Sequence, residues 1–307
     1  MGEQPAAFPE SPGPRPPAPP LDAEAVIINC STKEQTTLAL ASVLRHTALP
    51  VAVIDCESTD GSYPFFQRLQ ERLSFRLARM PLRPHGVTLD RIFRDTERGA
   101  VLLVDSDAEI LRDDLLPAMT GALGPAAYGS GFLHRGQWLG TNHLVDGNVG
   151  YYAPRMWIPC VLLKVAPVRA ALDAGASFRD RVLCNEVPQL PALARLLYLR
   201  FRVPWLRGLA FDALEGLRRT HFGVRPHYVY CDTGALLHQR IFDAQHLEFA
   251  ALPDAVWGDA VAHYHGVTRR RLRRWTRNAA SLNRTRCEAL ARIEAVYGLR
   301  LPEIDAR

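Results

Sequence analysis

Between residues 25 and 111, short apolar runs alternate with segments of helical period, and this alternation restricts the fold more than any other feature of the chain. The runs "AVIINC" (25–30), "VAVIDC" (51–56) and "AVLLVDSD" (100–107) are rich in Val, Ile and Leu and read as buried strands. Between them, "KEQTTLALASVLRHT" places Leu38, Ala41 and Leu44 on one helix face, and "YPFFQRLQERLSF" does the same with Phe65, Phe66, Leu69 and Leu73. "TLDRIFRDTERG" predicts a third helix, closed by Gly99. Strands alternating with helices of this length predict parallel βαβ units, whose ligands bind beyond the carboxyl ends of the strands. The acidic segments "DCESTDGS" (55–62) and "DSDAEI" (105–110) both fall at such ends.

Asp105 and Asp107 leave a buried strand where lost hydration is costly. Asp and Ser are good turn formers, so a plain turn is one account of them. A divalent cation held at the sheet edge is the other.

The remaining chain sets the context. Its 307 residues suffice for a sizeable core, and 48% hydrophobic with 22% charged residues is an ordinary globular composition. Residues 1–22 hold eight prolines and read as a disordered tail. Six scattered cysteines without a CxxC pair suit free thiols in a reducing compartment. No stretch approaches the roughly 18–20 apolar residues of a membrane span, and no basic-then-apolar leader opens the chain. The expected location is therefore cytoplasmic. "LPALARLLYLRFRVPWLRGLAF" (190–211), apolar and basic without acidic residues, leaves open two roles. It is either a helix pair covering the core or a peripheral contact with anionic lipid at the inner face of the membrane. The net charge of +5 is modest, but "TRRRLRRWTR" (268–277) concentrates six arginines, which suits an anionic ligand or a solvated helix face. The closing segment from Thr268 to Gly298 has helical period, with Leu272, Trp275, Leu282, Leu290, Ile293 and Val296 as packing residues.

The ordered set "VIINCSTKEQTTLALASVLRHT", "VAVIDCESTDGS" and "HGVTLDRIFRDTERGAVLLVDSDAEI" resembles the nucleotide-binding half of family-two-type glycosyltransferases with the GT-A fold. The resemblance covers about 90 residues and rests on the order of the pieces, since one Asp-x-Asp motif alone says little. It implies an α/β fold: a Rossmann-like mixed sheet flanked by helices, with a C-terminal helical extension. The implied organisation is a tail (1–22), a catalytic domain (23–267) and a basic C-terminal helix and tail (268–307). The catalytic domain would divide into a nucleotide-binding half (23–115) and an acceptor half (116–267).

The implied activity is transfer of a sugar from a nucleotide-diphosphate donor, a UDP-sugar favoured, to an acceptor hydroxyl on a small molecule, lipid carrier or glycan. The departing diphosphate needs neutralising, which Mn²⁺ or Mg²⁺ held by few carboxylates supplies. By the resemblance Asp107 is the main metal ligand, with Asp105 and Ser106 toward the donor. Asp55 binds the base, and Asp60 belongs to the same turn. Cys30, Ser31 and Thr32 line the base and ribose pocket, or else cap the first helix. "HYHG" supplies a late metal ligand from His263 or His265, with His265 favoured because Gly266 lets the backbone approach closely. In "YVYCDTGALLHQR" Asp232 is the general base for an inverting transfer, although Cys231 stands where the family has glutamate. Glu186 and Asp254 are weaker alternatives. Trp157 in "WIPCVLLKV" either lines an acceptor channel or belongs to a core strand.

Two other readings share the alternating sheet. A nucleotidyltransferase ordinarily has a Gly-rich first loop, and "NCSTKEQ" has no glycine. A catalytically degenerate binding protein fits the missing glutamate. A nucleic-acid module on the arginine segment leaves the acidic strand ends without a purpose, so no nucleic-acid partner is expected.

Overall fold

The apolar runs pair as their alternation predicts. The computed structural model describes residues 22–139, 150–184, 228–264 and 279–301. It opens with β1 (Ala23–Asn29), α1 (Lys33–His46), β2 (Val51–Cys56), α2 (Ser62–Leu69), β3 (Arg76–Met80), α3 (His85–Asp95) and β4 (Ala100–Asp105). A short β5 (Ala108–Ile110), α4 (Leu115–Ala122), β6 (Ala127–His134), β7 (Gln137–Leu139), β8 (Gly150–Tyr152), β9 (Arg155–Lys164) and α5 (Val165–Asp173) follow. The remaining elements are β10 (Arg181–Cys184), β11 (Tyr228–Cys231), α6 (Ala235–Gln245), β12 (Glu248–Ala251), α7 (Asp254–Ala260), β13 (Val261–His263) and α8 (Ala279–Tyr297).

The central sheet runs β12-β6-β9-β4-β1-β2-β3. Strands β1 to β4 are mutually parallel where they pair, and β9 is antiparallel to both of its neighbours. This is the expected mixed sheet. Both of its faces are covered, which is why its strands are continuously apolar rather than alternating. Ile27, Val53 and Leu102 point into one layer with Leu38 and Leu40 of α1, Phe65 and Phe66 of α2, and Ile293 and Tyr297 of α8. Val26, Ile54 and Leu103 point into the other, with Phe93 of α3, Val168 of α5 and Leu237 of α6. Ile293 is buried, and Leu290 and Val296 pack against the first layer as their spacing predicts. Leu272 and Trp275 lie outside the described residues.

Three boundaries differ from the sequence reading. Helix α2 stops at Leu69 rather than running to Phe75. Leu73 and Phe75 are still buried, but the chain between them turns to feed β3, and Gln70 Nε2 donates to Phe75 O at 2.8 Å across that turn. Strand β3 itself, "RLARM", carries too few apolar residues to announce a strand, as suits an edge. Helix α3 starts at His85 and ends before Thr96, so Gly99 is not its cap. Arg169 of α5 instead satisfies the terminal carbonyls, donating to Phe93 O and Thr96 O. A glycine matters earlier in this helix. A Cβ on Gly86 would stand 2.6 Å from backbone atoms of Phe178 and Arg179, which lie directly on the first turn of α3.

Candidate functional site

Parallel pairing delivers the ends of β1, β2 and β4 to one edge of the sheet, and the polar residues that follow each strand meet there. Asn29, the last residue of β1, is fully buried and forms the hub of the first two loops. Its Nδ2 donates to Asp55 Oδ1 at 2.7 Å and to Ser58 Oγ at 2.8 Å. Its Oδ1 accepts from the Thr32 and Thr36 hydroxyls. Ser58 Oγ also accepts from Ser31 N, and Ser31 Oγ accepts from Thr59 N, so the two loops are stitched together twice. Ser31 and Glu57, neither of them glycine, have φ of 53° and 47°. Such backbone is costly and persists only where surrounding contacts fix it, most often at binding sites.

Of the residues expected to contact the donor, Cys30, Ser31, Thr32, Asp55 and Asp60 lie in or beside this lattice, whereas Asp105 and Ser106 lie at the end of β4. Asp55 is 0% exposed, and Ser58 N donates to its second oxygen. Thr32 stands at the start of α1, yet its hydroxyl turns to Asn29 instead of capping the helix backbone. Asp60 accepts from Lys33 N and from Ser62 N and its hydroxyl. Cys30 is nearly buried, and burial, then Asp55 and Asp60, push its thiol up, so it stays protonated. Asn29 and Ser58, which organise the loops, escaped the sequence reading because Asn and Ser near strand ends are commonplace.

Asp105 closes β4, Ser106 and Asp107 form the following turn, and β5 leads away. Strand β13 returns antiparallel to β5 with His263 opposite Ala108, and Tyr264 N donates to Asp107 O at 2.8 Å. This register brings His263 Nε2 to 3.3 Å from Asp107 Oδ1. One ligand atom each from Asp105, Asp107 and His263 lie within 4.8 Å of one another, with Asp107 only 7% exposed. Two carboxylates and an imidazole at that separation are a donor set that Mn²⁺ accepts and Mg²⁺ tolerates. The residues present therefore fit a divalent cation. His263 is the histidine ranked second from the sequence; His265 lies outside the described residues. His85, not singled out beforehand, places Nε2 at 3.8 Å from Asp105 Oδ1 from the first turn of α3.

Trp157 of β9 meets the His263 ring edge to face, with centroids 5.0 Å apart. It also packs on Trp257 of α7 and Phe132 of β6. Trp157 thus sits on a core strand and beside the site at once. The pairing of β4 with β9 ends at Val104 and Cys160, so Arg155 to Ile158 project past the end of β4. Arg155 and Trp157 share one face of that projection, about 7 Å apart.

Asp232 occupies the Arg155 corner. It follows β11, and Gly234 (φ +86°) turns the chain into α6. Asp232 Oδ2 accepts from the Tyr152 hydroxyl at 2.5 Å and lies 3.1 Å from an Arg155 guanidinium nitrogen. Arg155 Nε donates to the Tyr152 hydroxyl at 2.9 Å, which closes the triangle. Burial, then the Asp232 carboxylate, hold the Tyr152 hydroxyl well above its ordinary value, so it remains a donor. Asp254, the weaker alternative, is exposed at the start of α7, and Glu186 lies outside the described residues. So do the segments 190–211 and 268–277. Among the described residues no helix is long and apolar enough to cross a membrane.

No protein-family model and no curated protein sequence matches the chain. Several solved structures are similar to it. The mannosyltransferase PcManGT from Pyrobaculum calidifontis, in complex with GDP-Man and Mn²⁺, is 15% identical with a TM-score of 0.39, over 97% of this chain and 82% of that one. S. aureus TarS is 17% identical with a TM-score of 0.34, over 49% of this chain and 30% of that one. Glucosyl-3-phosphoglycerate synthase from Mycobacterium tuberculosis, in complex with phosphoglyceric acid, is 13% identical with a TM-score of 0.33, over 48% and 58%. The chain thus spans less than two thirds of TarS and of the synthase.

Proposed function

We propose that the chain is a metal-dependent glycosyltransferase that moves a sugar from a nucleoside-diphosphate donor, a UDP-sugar favoured, to an acceptor hydroxyl. The observation that carries the reading is the convergence of Asp105, Asp107 and His263 at the carboxyl edge of parallel strands. The stitched loops of Asn29 to Asp60 stand at that same edge. A nucleoside with a charged diphosphate matches both halves of this arrangement.

Asp107, His263 and Asp105 would hold Mn²⁺ or Mg²⁺. When bound, the ion supplies the positive charge that a departing diphosphate requires. The first two loops bind the nucleoside; Asp55 acts there by fixing Asn29 and Ser58. The projecting end of β9 carries both the Trp157 wall against His263 and the Arg155 clamp on Asp232, so donor and acceptor corners share one rigid strand. Asp232 takes the proton from the acceptor hydroxyl, held in place by Arg155 and Tyr152. The acceptor is a small molecule, a lipid-linked carrier or a glycan.

The Arg155–Asp232 pair also favours a second reading, because a carboxylate already held by a guanidinium is a weak base. In that reading the chain binds a nucleotide sugar without turning it over. Incubation with UDP-, GDP- and dTDP-sugars and Mn²⁺, with release of nucleoside diphosphate as the readout, separates the two. Slow metal-dependent release from one donor supports the transferase. Donor binding without release supports the binding protein.

A further inference from the structure

Glu109 lies two residues beyond Asp107 on β5 and is 0% exposed. A carboxylate so deeply buried is tolerated only where donors surround it. Three do, from two distant parts of the chain. Tyr264, the residue after His263, donates its hydroxyl to Glu109 Oε2 at 2.7 Å. From α8, Arg292 Nε donates to the same oxygen at 2.5 Å and the Tyr297 hydroxyl donates to Oε1 at 2.7 Å. Burial and then the hydrogen bond it donates to Glu109 raise Tyr264, and burial and then the Glu109 carboxylate raise Tyr297, so both phenols stay protonated as donors.

The consequence falls on His263. Its neighbour Tyr264 is pinned twice, by its backbone N to Asp107 O and by its hydroxyl to Glu109. The imidazole just before it is thereby held against Asp107 with little freedom. The helix that completes the carboxylate's shell is anchored independently on α1, through Arg286 to Glu34 at 2.8 Å and Arg45 to Val296 O at 2.7 Å. Without α8, Glu109 would keep a single donor, the Tyr264 hydroxyl, for a buried charge, and that one bond to the histidine-bearing strand would be left to hold it.

We propose that Glu109 is a positioning residue that locks the histidine-bearing strand onto the Asp105–Asp107 turn, and that docking of α8 and occupancy of the cation site are coupled. Coupling of this kind is reciprocal. The cation stabilises the docked helix to the same degree that the docked helix strengthens cation binding. The inference rests on the metal reading given above.

The test is Mn²⁺ binding to the full chain, followed by electron paramagnetic resonance, together with hydrogen exchange at α8 amides with and without Mn²⁺. Tyr264→Phe removes one hydroxyl and Glu109→Gln replaces the carboxylate; Tyr297→Phe stands in where Glu109→Gln does not fold. The wild type should bind Mn²⁺ and show slower exchange in α8 when it does. Folded Tyr264→Phe should bind Mn²⁺ about tenfold more weakly or worse, the scale on which groups orienting a metal ligand act, and its α8 exchange should respond less to Mn²⁺. Wild-type Mn²⁺ binding with affinity within about twofold in folded Tyr264→Phe, and α8 exchange indifferent to the ion, overturns this inference alone. A wild-type chain that binds no Mn²⁺ overturns the metal reading and this inference together.

Discussion

His263 Nε2 stands 3.3 Å from Asp107 Oδ1, across the short antiparallel pair formed by β5 and β13. The contact joins the strand end that carries both aspartates to a segment near the far end of the chain, and it defines the candidate cation site.

The two residues should therefore fail together. Asp107→Asn is expected to abolish Mn²⁺-dependent nucleotide binding with the fold intact. His263→Ala should weaken Mn²⁺ by more than the about 10–100-fold that follows loss of an outer-shell partner. Calorimetric titration with Mn²⁺ checks both, and wild-type affinity in either variant removes that residue from the site.

Asp232 should separate chemistry from binding. If it acts as base, Asp232→Asn leaves donor affinity unchanged and lowers turnover about 10²–10⁴-fold. Arg155→Met strands a nearly buried carboxylate and should cost about 3 kcal/mol of stability. Adding Asp232→Asn to that variant should restore part of the loss. Denaturant unfolding measures the second effect, and additive losses in the double variant would show that the two side chains do not interact.

The strand–helix alternation was legible because residues buried on both faces leave long apolar runs, as in "AVLLVD". Strand β3 was not, since an edge strand needs few apolar residues, and neither was the true start of α3 at His85. Asp105 and Asp107 could be found from the sequence because a carboxylate after a buried strand demands an explanation. The position of His263 beside them could not, because it depends on the register of β13 against β5, a pairing remote in sequence. Asn29, Ser58, His85 and Glu109 were missed for the same reason. Their roles come from partners that only the folded sheet brings near.

Gln35 of α1 is 2% exposed, and neither atom of its amide has a hydrogen-bond partner among the described residues. A buried unpaired amide costs about 1–3 kcal/mol. Gln35→Leu should accordingly raise Tm by several degrees in a thermal melt of the ligand-free protein. An unchanged or lower Tm would mean that the amide is satisfied in solution.

His238 of α6 is hydrogen-bonded through Nδ1 to the Tyr128 hydroxyl at 2.6 Å. Burial depresses its pKa below the ordinary 6.5, against a smaller opposing pull from Asp243. A group depressed on folding binds more protons in the unfolded chain, so its contribution to stability is full above pH 6.5 and declines as pH falls below it. The difference in stability between wild type and His238→Gln, measured in urea from pH 8 to 5, should shift against the wild type below pH 6.5. A difference independent of pH would show that His238 does not titrate abnormally.

The proposed function requires the Asp105–Asp107–His263 cluster and the Asn29–Asp60 loops to form one site for a metal-bound nucleoside diphosphate. Thermal shifts with UDP, GDP, dTDP, CMP and ATP, each with and without Mn²⁺, test it most directly, because a ligand of the native state raises stability with the logarithm of its concentration over Kd. The expected result is a rise in Tm with one nucleoside diphosphate that requires Mn²⁺ and is absent in Asp107→Asn. No shift with any nucleotide, or a shift indifferent to both Mn²⁺ and Asp107, would contradict it.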